Sequence, residues 1–309
     1  MGNIDNFIQR IVTNRPKPKK TIQLLQKFLL LLVSFLCLYW LGMFLAPGFD
    51  WQNFFSIGIY PSIWMPWTKP IVALFNFPAV FALTILSIGI RCLSYRASPV
   101  ALALAILSLP TLWVIFIGNL DGFALAGLAL LPWGAPLVLI KPQIAAFALL
   151  AKRSSLVVAV IWLLLSFLIW GFWPLTWRVM FTSAWKVEWV QDIALFPWGL
   201  LIALPLLWLS RGDEDLLMAA GSLCTPHLFP YHFIVLMPAL ARMRWPWMLA
   251  TWAISFTPLL ANWLGPAAWH FGNLLGVFFW LGLYLSLDPD KRKGWRLSRP
   301  LHWGEFFKG

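Results

Sequence analysis

Long runs of apolar residues alternate with short polar segments along most of the chain. A helix needs about 20 apolar residues to cross a bilayer, and several runs approach that length. The runs are continuous, whereas a transmembrane barrel needs short segments of alternating polarity, so helices are favoured. The predicted spans are 24–46, 70–90, 98–117, 156–173, 194–210, 246–264 and 271–287, with shorter apolar pieces at 143–151, 216–225 and 233–241.

One apolar run, 122–140, contains Pro132, Gly134 and Pro136 near its centre. Two prolines and a glycine break a straight spanning helix, because proline removes a backbone donor and clashes with the preceding turn. We therefore predict a short re-entrant hairpin that returns to the side it entered. The fold class predicted is an all-α, polytopic transmembrane bundle of about eight to ten spans plus this hairpin.

The same pattern divides the chain into three parts. A basic N-terminal tail, 1–23, precedes a single transmembrane domain, 24–287, and a basic C-terminal tail, 288–309, follows it. Two polar and aromatic stretches inside the domain, 47–69 and 174–192, are predicted to be outer loops. The first apolar run lacks an obvious cleavage site, so it is interpreted as an uncleaved first span.

Composition agrees with a lipid environment, since 61% of the 309 residues are hydrophobic and 11% are charged. A soluble domain has about 25% charged residues. The net charge of +12 does not indicate a nucleic-acid partner, because the basic residues lie in the tails and in short turns. With the N-terminus in the cytoplasm, most of the 23 Lys and Arg residues fall on the cytoplasmic side. We therefore predict a multi-pass cell-membrane protein with both termini cytoplasmic.

The three cysteines, Cys37, Cys92 and Cys224, are far apart and form no motif with metal-ligand spacing. No cluster of carboxylates with such spacing is evident either. The sequence therefore predicts no metal site.

Under this topology, polar residues converge on the outer side. They are Asp50, Asn119, Asp121, Lys141, Arg178, Lys186, Glu188, Asp192, His227 and His232. Ionisable residues at membrane depth are functional candidates by default. The residues alone leave other interpretations open: Asp50 as a solvated loop carboxylate, Asp121 as a helix cap, and Lys141 as a lysine extended toward the membrane interface.

Three short segments, in this order, resemble one family. They are Phe49-Asp50-Trp51-Gln52-Asn53-Phe54 with Tyr60-Pro61-Ser62, then Gly118-Asn119 with Lys141-Pro142-Gln143, then Thr225-Pro226-His227 with Tyr231-His232 and the run to Pro238. Together they resemble the polyprenol-phosphate-dependent glycosyltransferases of the GT-C superfamily, closest to glycosyltransferase family 87, the mannosyltransferase-like group. The interval from Gly118 to Lys141 is shorter than in that family, and one proline follows Tyr60 where two are usual.

The resemblance implies a GT-C-like fold and transfer of a sugar from a polyprenyl-phosphate donor on the extracytoplasmic side. Asp50 would be the general base, and Lys141 with His232 or His227 would hold the departing lipid phosphate. The remaining substrate-binding candidates are Asn119, Asp121, Tyr60, Gln143 and Arg178. No cofactor is implied beyond the lipid-linked donor, and the acceptor would be a glycan, a lipid or a glycolipid.

Two other functions remain open at this point. Broken helices and a re-entrant hairpin also build substrate sites in transporters, so the chain is a candidate transporter of a lipid-linked substrate. The high tryptophan content and short length also suit a non-catalytic membrane subunit that binds other helices or a pigment-like cofactor.

Overall fold

The computed structural model describes residues 20–57, 65–175 and 191–287. Within these ranges every regular element is helical, which confirms the all-α prediction. The α-helices are α1 (Lys20–Gly42), α2 (Thr68–Val72), α3 (Phe77–Ser94), α4 (Pro99–Ile106), α5 (Leu109–Ile117), α6 (Asp121–Ala129), α7 (Ala135–Val138), α8 (Pro142–Ala145), α9 (Arg153–Trp170), α10 (Leu200–Leu209), α11 (Glu214–Ser222), α12 (Trp245–Ile254), α13 (Ala261–Leu264) and α14 (Asn273–Ser286). A π-helical turn, Trp51–Phe55, and 3₁₀ segments at Ala146–Ala151, Pro230–Arg242, Thr257–Leu260 and Pro266–Gly272 connect them.

Four helical segments in the described ranges are long and apolar enough to cross a membrane: Leu25–Gly42, Phe77–Ser94, Arg153–Trp170 and Pro266–Ser286. Helices α4 and α5, bent by 47° at their junction, would form a fifth span if taken together. The count is lower than eight to ten because several predicted spans are broken or short. For example, the run at 246–264 divides into α12, a 3₁₀ turn that starts beside Pro258, and α13.

The hairpin predicted at 122–140 has its two ends together. Helix α6 begins at Asp121, and after α7 the chain returns to Lys141, whose Nζ lies 4.0 Å from Asp121 Oδ2. The two arms touch through backbone, because a Cβ atom on Gly127 would lie 2.6 Å from Val138 N and 2.7 Å from Gly134 O. Glycines at this crossing therefore allow a short hairpin to fold back on itself.

An ion network joins three elements at the far end of α3. Arg91, near the C-terminus of α3, donates to Asp215 Oδ1 at 3.1 Å, and Arg242 donates to Asp215 Oδ2 at 2.5 Å. Arg242 also binds Asp213, which caps the N-terminus of α11. Because Asp215 is almost fully buried, removing one of its cationic partners would cost about 3–5 kcal/mol.

The opposite end of α3 packs against the 47–57 loop, which belongs to the predicted outer loop 47–69. Trp51 of the π-helical turn contacts Phe77, the first residue of α3, with ring centroids 6.0 Å apart. An 18-residue helix is about 27 Å long. The ion network and the polar residues beside the 47–57 loop are therefore separated by the length of α3.

Candidate functional site

Asp50 lies close to Asn119 because two glycines let the 47–57 loop contact the end of α5. A Cβ atom on Gly48 would collide with the backbone of Phe116 and Ile117. Gly118 ends α5 with φ of +71°, a left-handed conformation that glycine adopts without a Cβ penalty. The loop can therefore lie directly on the backbone of α5.

This contact places Asp50 beside Asn119. The side-chain amide of Asn119 donates to Asp50 Oδ2 at 2.7 Å. The amide oxygen of Asn119 accepts a 2.6 Å hydrogen bond from the backbone N–H of Leu120, which fixes the orientation of the amide. One Asp50 oxygen is thus held by a neutral donor.

Lys141 supplies a buried positive charge at the same end of the molecule. Its residue is 7% exposed and that of Asp121 is 1% exposed, so their ion pair is largely shielded from water. The ammonium also lies 5.7 Å from the centroid of the Tyr231 ring, within cation–π range. Lys141 therefore connects the hairpin to the segment that follows α11.

The charges of Asp50, Asp121 and Lys141 influence one another. Burial raises the pKa of Asp121 to about 6, although Lys141 opposes the rise. Burial also raises the pKa of Asp50, against the opposing effects of Lys141 and Asn119. The pKa of Lys141 is lowered by burial, while Asp121 and Asp50 act to raise it. Each of these shifts places a titrating group nearer to neutral pH, which suits acid–base chemistry.

His232 adds a neutral donor to this cluster. It is 2% exposed, and burial together with the nearby Lys141 lowers its pKa. Its Nδ1 accepts a 3.1 Å hydrogen bond from the backbone N–H of Phe229, which leaves the proton on Nε2. Among the residues that the structure describes, this buried Nε2 has no hydrogen-bond partner.

Asp121 Oδ2 and Gln143 Oε1 are buried acceptors that likewise have no hydrogen-bond partner among the described residues. Buried polar atoms are almost always hydrogen-bonded in folded proteins, to protein, water or a ligand. The main chain of Gln143 is itself anchored, because its carbonyl accepts from the Thr225 hydroxyl at 2.5 Å. These atoms are suited to meet the donors and acceptors of a polar ligand.

The structure brings together most of the predicted site residues. Linked by contacts or by mutual electrostatic effects are Asp50, Asn119, Asp121, Lys141, His232 and His227. Gln143 follows Lys141 by two residues, and its carbonyl is bonded by Thr225. Tyr60 and Arg178 lie outside the described residues. The sequence assigned no individual role to Tyr231 or Asp192, although Tyr231 adjoins His232 and Asp192 stands among the outer polar residues.

Comparison with known proteins finds no matching family model, no matching curated protein and no matching solved structure. The resemblance to GT-C glycosyltransferases therefore stays a prediction. Within the described part of the chain, no group of three or more His, Cys, Asp or Glu residues is arranged to hold a metal ion.

The close approach at Gly48 leads to a testable prediction. Gly48→Ala places a methyl group against the backbone of α5, so the loop must move away and the Asp50–Asn119 hydrogen bond is strained. We expect the free energy of unfolding to fall by about 1–3 kcal/mol, measured by thermal unfolding of the detergent-solubilised protein. The control is Gly89→Ala in α3, where an added Cβ meets nothing within 4 Å. Equal effects from both variants would contradict the close packing.

The buried ion pair gives a second prediction. Lys141→Met leaves Asp121 without its cation, which costs about 3 kcal/mol or more at neutral pH. A carboxyl whose pKa is raised on folding stabilises the fold below its unfolded pKa of 3.8, and that contribution is lost as the pH rises through about 6. Without Lys141 the pKa of Asp121 rises further. The stabilising contribution of this carboxyl is therefore lost at a higher pH than in the unmodified protein.

Thermal unfolding of Lys141→Met over a pH series measures this effect. Adding Asp121→Asn in the same chain removes the buried ionisable group and is expected to restore much of the stability at neutral pH. If Lys141→Met unfolds at the same temperature as the unmodified protein at every pH, the ion pair does not stabilise the fold.

Proposed function

We propose that this protein is an integral-membrane glycosyltransferase that moves a sugar from a polyprenyl-phosphate donor to an acceptor hydroxyl on the extracytoplasmic side. The observation that supports it most is the meeting of Asp50, in the first outer loop, with the buried Lys141–Asp121 pair. A carboxylate and a buried cation at one site provide a base for a hydroxyl and a counter-charge for a phosphate.

In this mechanism Asp50 accepts the proton of the acceptor hydroxyl. The acceptor oxygen forms its bond to the anomeric carbon of the sugar as the bond from that carbon to the phosphate oxygen breaks. The electron pair of the broken bond stays on the phosphate, which leaves as polyprenyl phosphate. Burial raises the pKa of Asp50, which strengthens it as a base, while Asn119 holds the carboxylate in place.

Lys141 stabilises the negative charge that develops on the leaving phosphate. An ammonium in a site with little water interacts with developing charge more strongly than it would in solution. Before donor binding, Asp121 compensates the buried ammonium. The neutral His232 offers its Nε2–H to a phosphate or sugar oxygen without adding a further charge.

Asp50→Asn tests the base assignment. We expect transfer activity in proteoliposomes to fall by about 10²–10⁴-fold, because an amide accepts no proton at neutral pH. Asn53→Ala is the control, since Asn53 is exposed in the same turn and bonds only the Phe49 carbonyl among the described contacts. Full transfer by Asp50→Asn would contradict the base assignment. Absence of transfer by the unmodified protein would instead favour a transporter of a lipid-linked substrate or a non-catalytic subunit.

We also propose that Asp50 faces the outside of the cell and that both termini are cytoplasmic. Arg91 and Arg242 belong to the ion network at the far end of α3. Lys152 joins it because it binds Glu214, which lies 3.9 Å from Arg91. The positive-inside rule assigns such a basic end to the cytoplasm. Asp50 lies at the other end of that helix.

Labelling of single cysteines tests this orientation. In a chain from which Cys37, Cys92 and Cys224 have been removed, we expect Gln52→Cys to react with an impermeant maleimide added outside intact cells. Arg244→Cys, exposed near the ion network, is expected to react only after the membrane is opened. The reverse pattern would place the site on the cytoplasmic side and contradict an extracytoplasmic transfer.

A further inference from the structure

A carboxylate–histidine pair lies beside the buried cluster. Asp192 Oδ2 is 2.6 Å from His227 Nδ1. The His227 ring centroid is 6.4 Å from that of His232, and the His227 side chain is 39% exposed. The pair is thus next to the proposed phosphate site and open to a ligand.

The Asp192 carboxylate is itself fixed. Its Oδ1 accepts hydrogen bonds of 3.0 Å from the backbone N–H groups of both Leu228 and Ala194. The backbone N–H of Ile193 donates to the Leu228 carbonyl at 2.8 Å, which pairs the two segments. Burial alone would raise the pKa of Asp192, but the hydrogen bonds from His227, Leu228 and Ala194 hold it below its usual value. Asp192 is therefore an ionised acceptor.

An ionised carboxylate decides which nitrogen of a neutral histidine carries the proton. Because Asp192 can only accept, His227 must donate from Nδ1, and Nε2 is left for a ligand. His232 has the opposite arrangement, since its Nδ1 is the acceptor. The two histidines therefore present different chemistry within one site.

We propose that Asp192 is a positioning residue: its bond to Nδ1 holds the His227 imidazole so that Nε2 meets the phosphate of the lipid-linked donor. This inference rests on the proposed function and adds a residue to it. A carboxylate bonded to Nδ1 stabilises the imidazolium form, whose Nε2–H donates to a phosphate oxygen. His227 keeps its proton throughout, so the transfer step described above is unchanged.

Asp192→Asn is the sharpest test. An asparagine can still accept from Leu228 and Ala194 through its oxygen, but its amide would donate to His227 Nδ1 and force the proton onto Nε2. The protein has four histidines, so labelling them with ¹⁵N resolves their tautomers by NMR, with His227→Gln assigning the signal. At alkaline pH, where imidazole is neutral, we expect an Nδ1–H tautomer in the unmodified protein and an Nε2–H tautomer in Asp192→Asn.

Polyprenyl phosphate without a sugar is the probe for binding, used at acidic pH. We expect it to shift the His227 Nε2 signal in the unmodified protein. In Asp192→Asn its affinity should fall about tenfold, the scale of one charge-assisted hydrogen bond. Asp192→Glu keeps the carboxylate and should recover part of that loss. Asn273→Ala is the control, because it removes a 2.7 Å hydrogen bond to the Ile193 carbonyl and leaves the pair intact.

The outcomes separate the two proposals. If polyprenyl phosphate binds but the His227 signal does not move, or if the tautomer is the same in Asp192→Asn, the positioning role is wrong and the glycosyltransferase proposal stands. If Asn273→Ala weakens binding as much as Asp192→Asn, the effect comes from the loop and the positioning role is again wrong. If the unmodified protein binds no polyprenyl phosphate, the proposed function itself fails.

Discussion

A lysine that is removed from water must have negative charge close by, and this requirement organises the site. The ammonium of Lys141 is buried at the exit of the hairpin, so the chain has to bring carboxylates to it. Asp121 does so from the entry of the same hairpin, and Asp50 does so from the 47–57 loop. The hairpin and the loop therefore meet where their charges compensate one another, and the segment after α11 adds the Tyr231 ring beside the ammonium.

The charged side chains can compensate one another only if the segments that carry them stay close together. Backbone contacts at glycines hold these segments in position. Gly48 and Gly118 allow the 47–57 loop to contact the end of α5. Gly127 and Gly134 allow the two arms of the hairpin to contact each other through backbone. Side chains at these positions would separate elements that carry opposite charges. The polar chemistry of the site thus depends on apolar, close-packed crossings in its surroundings.

Much of this was predictable because it follows from local rules. Continuous apolar runs predicted helices, and Pro132, Gly134 and Pro136 predicted the hairpin at 122–140. The predicted number of spans was too high for the described residues, since run length does not show where a proline divides a helix into 3₁₀ and α pieces.

Contacts between distant segments were harder to predict. Asn119 and Asp50 were both candidates, yet their hydrogen bond depends on a left-handed glycine and a backbone crossing that no spacing rule reveals. Asp192 had no assigned role, because its partner His227 lies 35 residues further along the chain. Contacts of this kind depend on the folded chain, whereas helices and hairpins can be predicted from short stretches of sequence.

The ion network at the far end of α3 also bears on how the chain is made. Arg91 is synthesised long before Asp215 and Arg242, so its carboxylate partner does not exist while the first helices leave the ribosome. An arginine near the end of a spanning helix must stay hydrated until α11 arrives. The network can therefore form only after the residues of the C-terminal third have been translated.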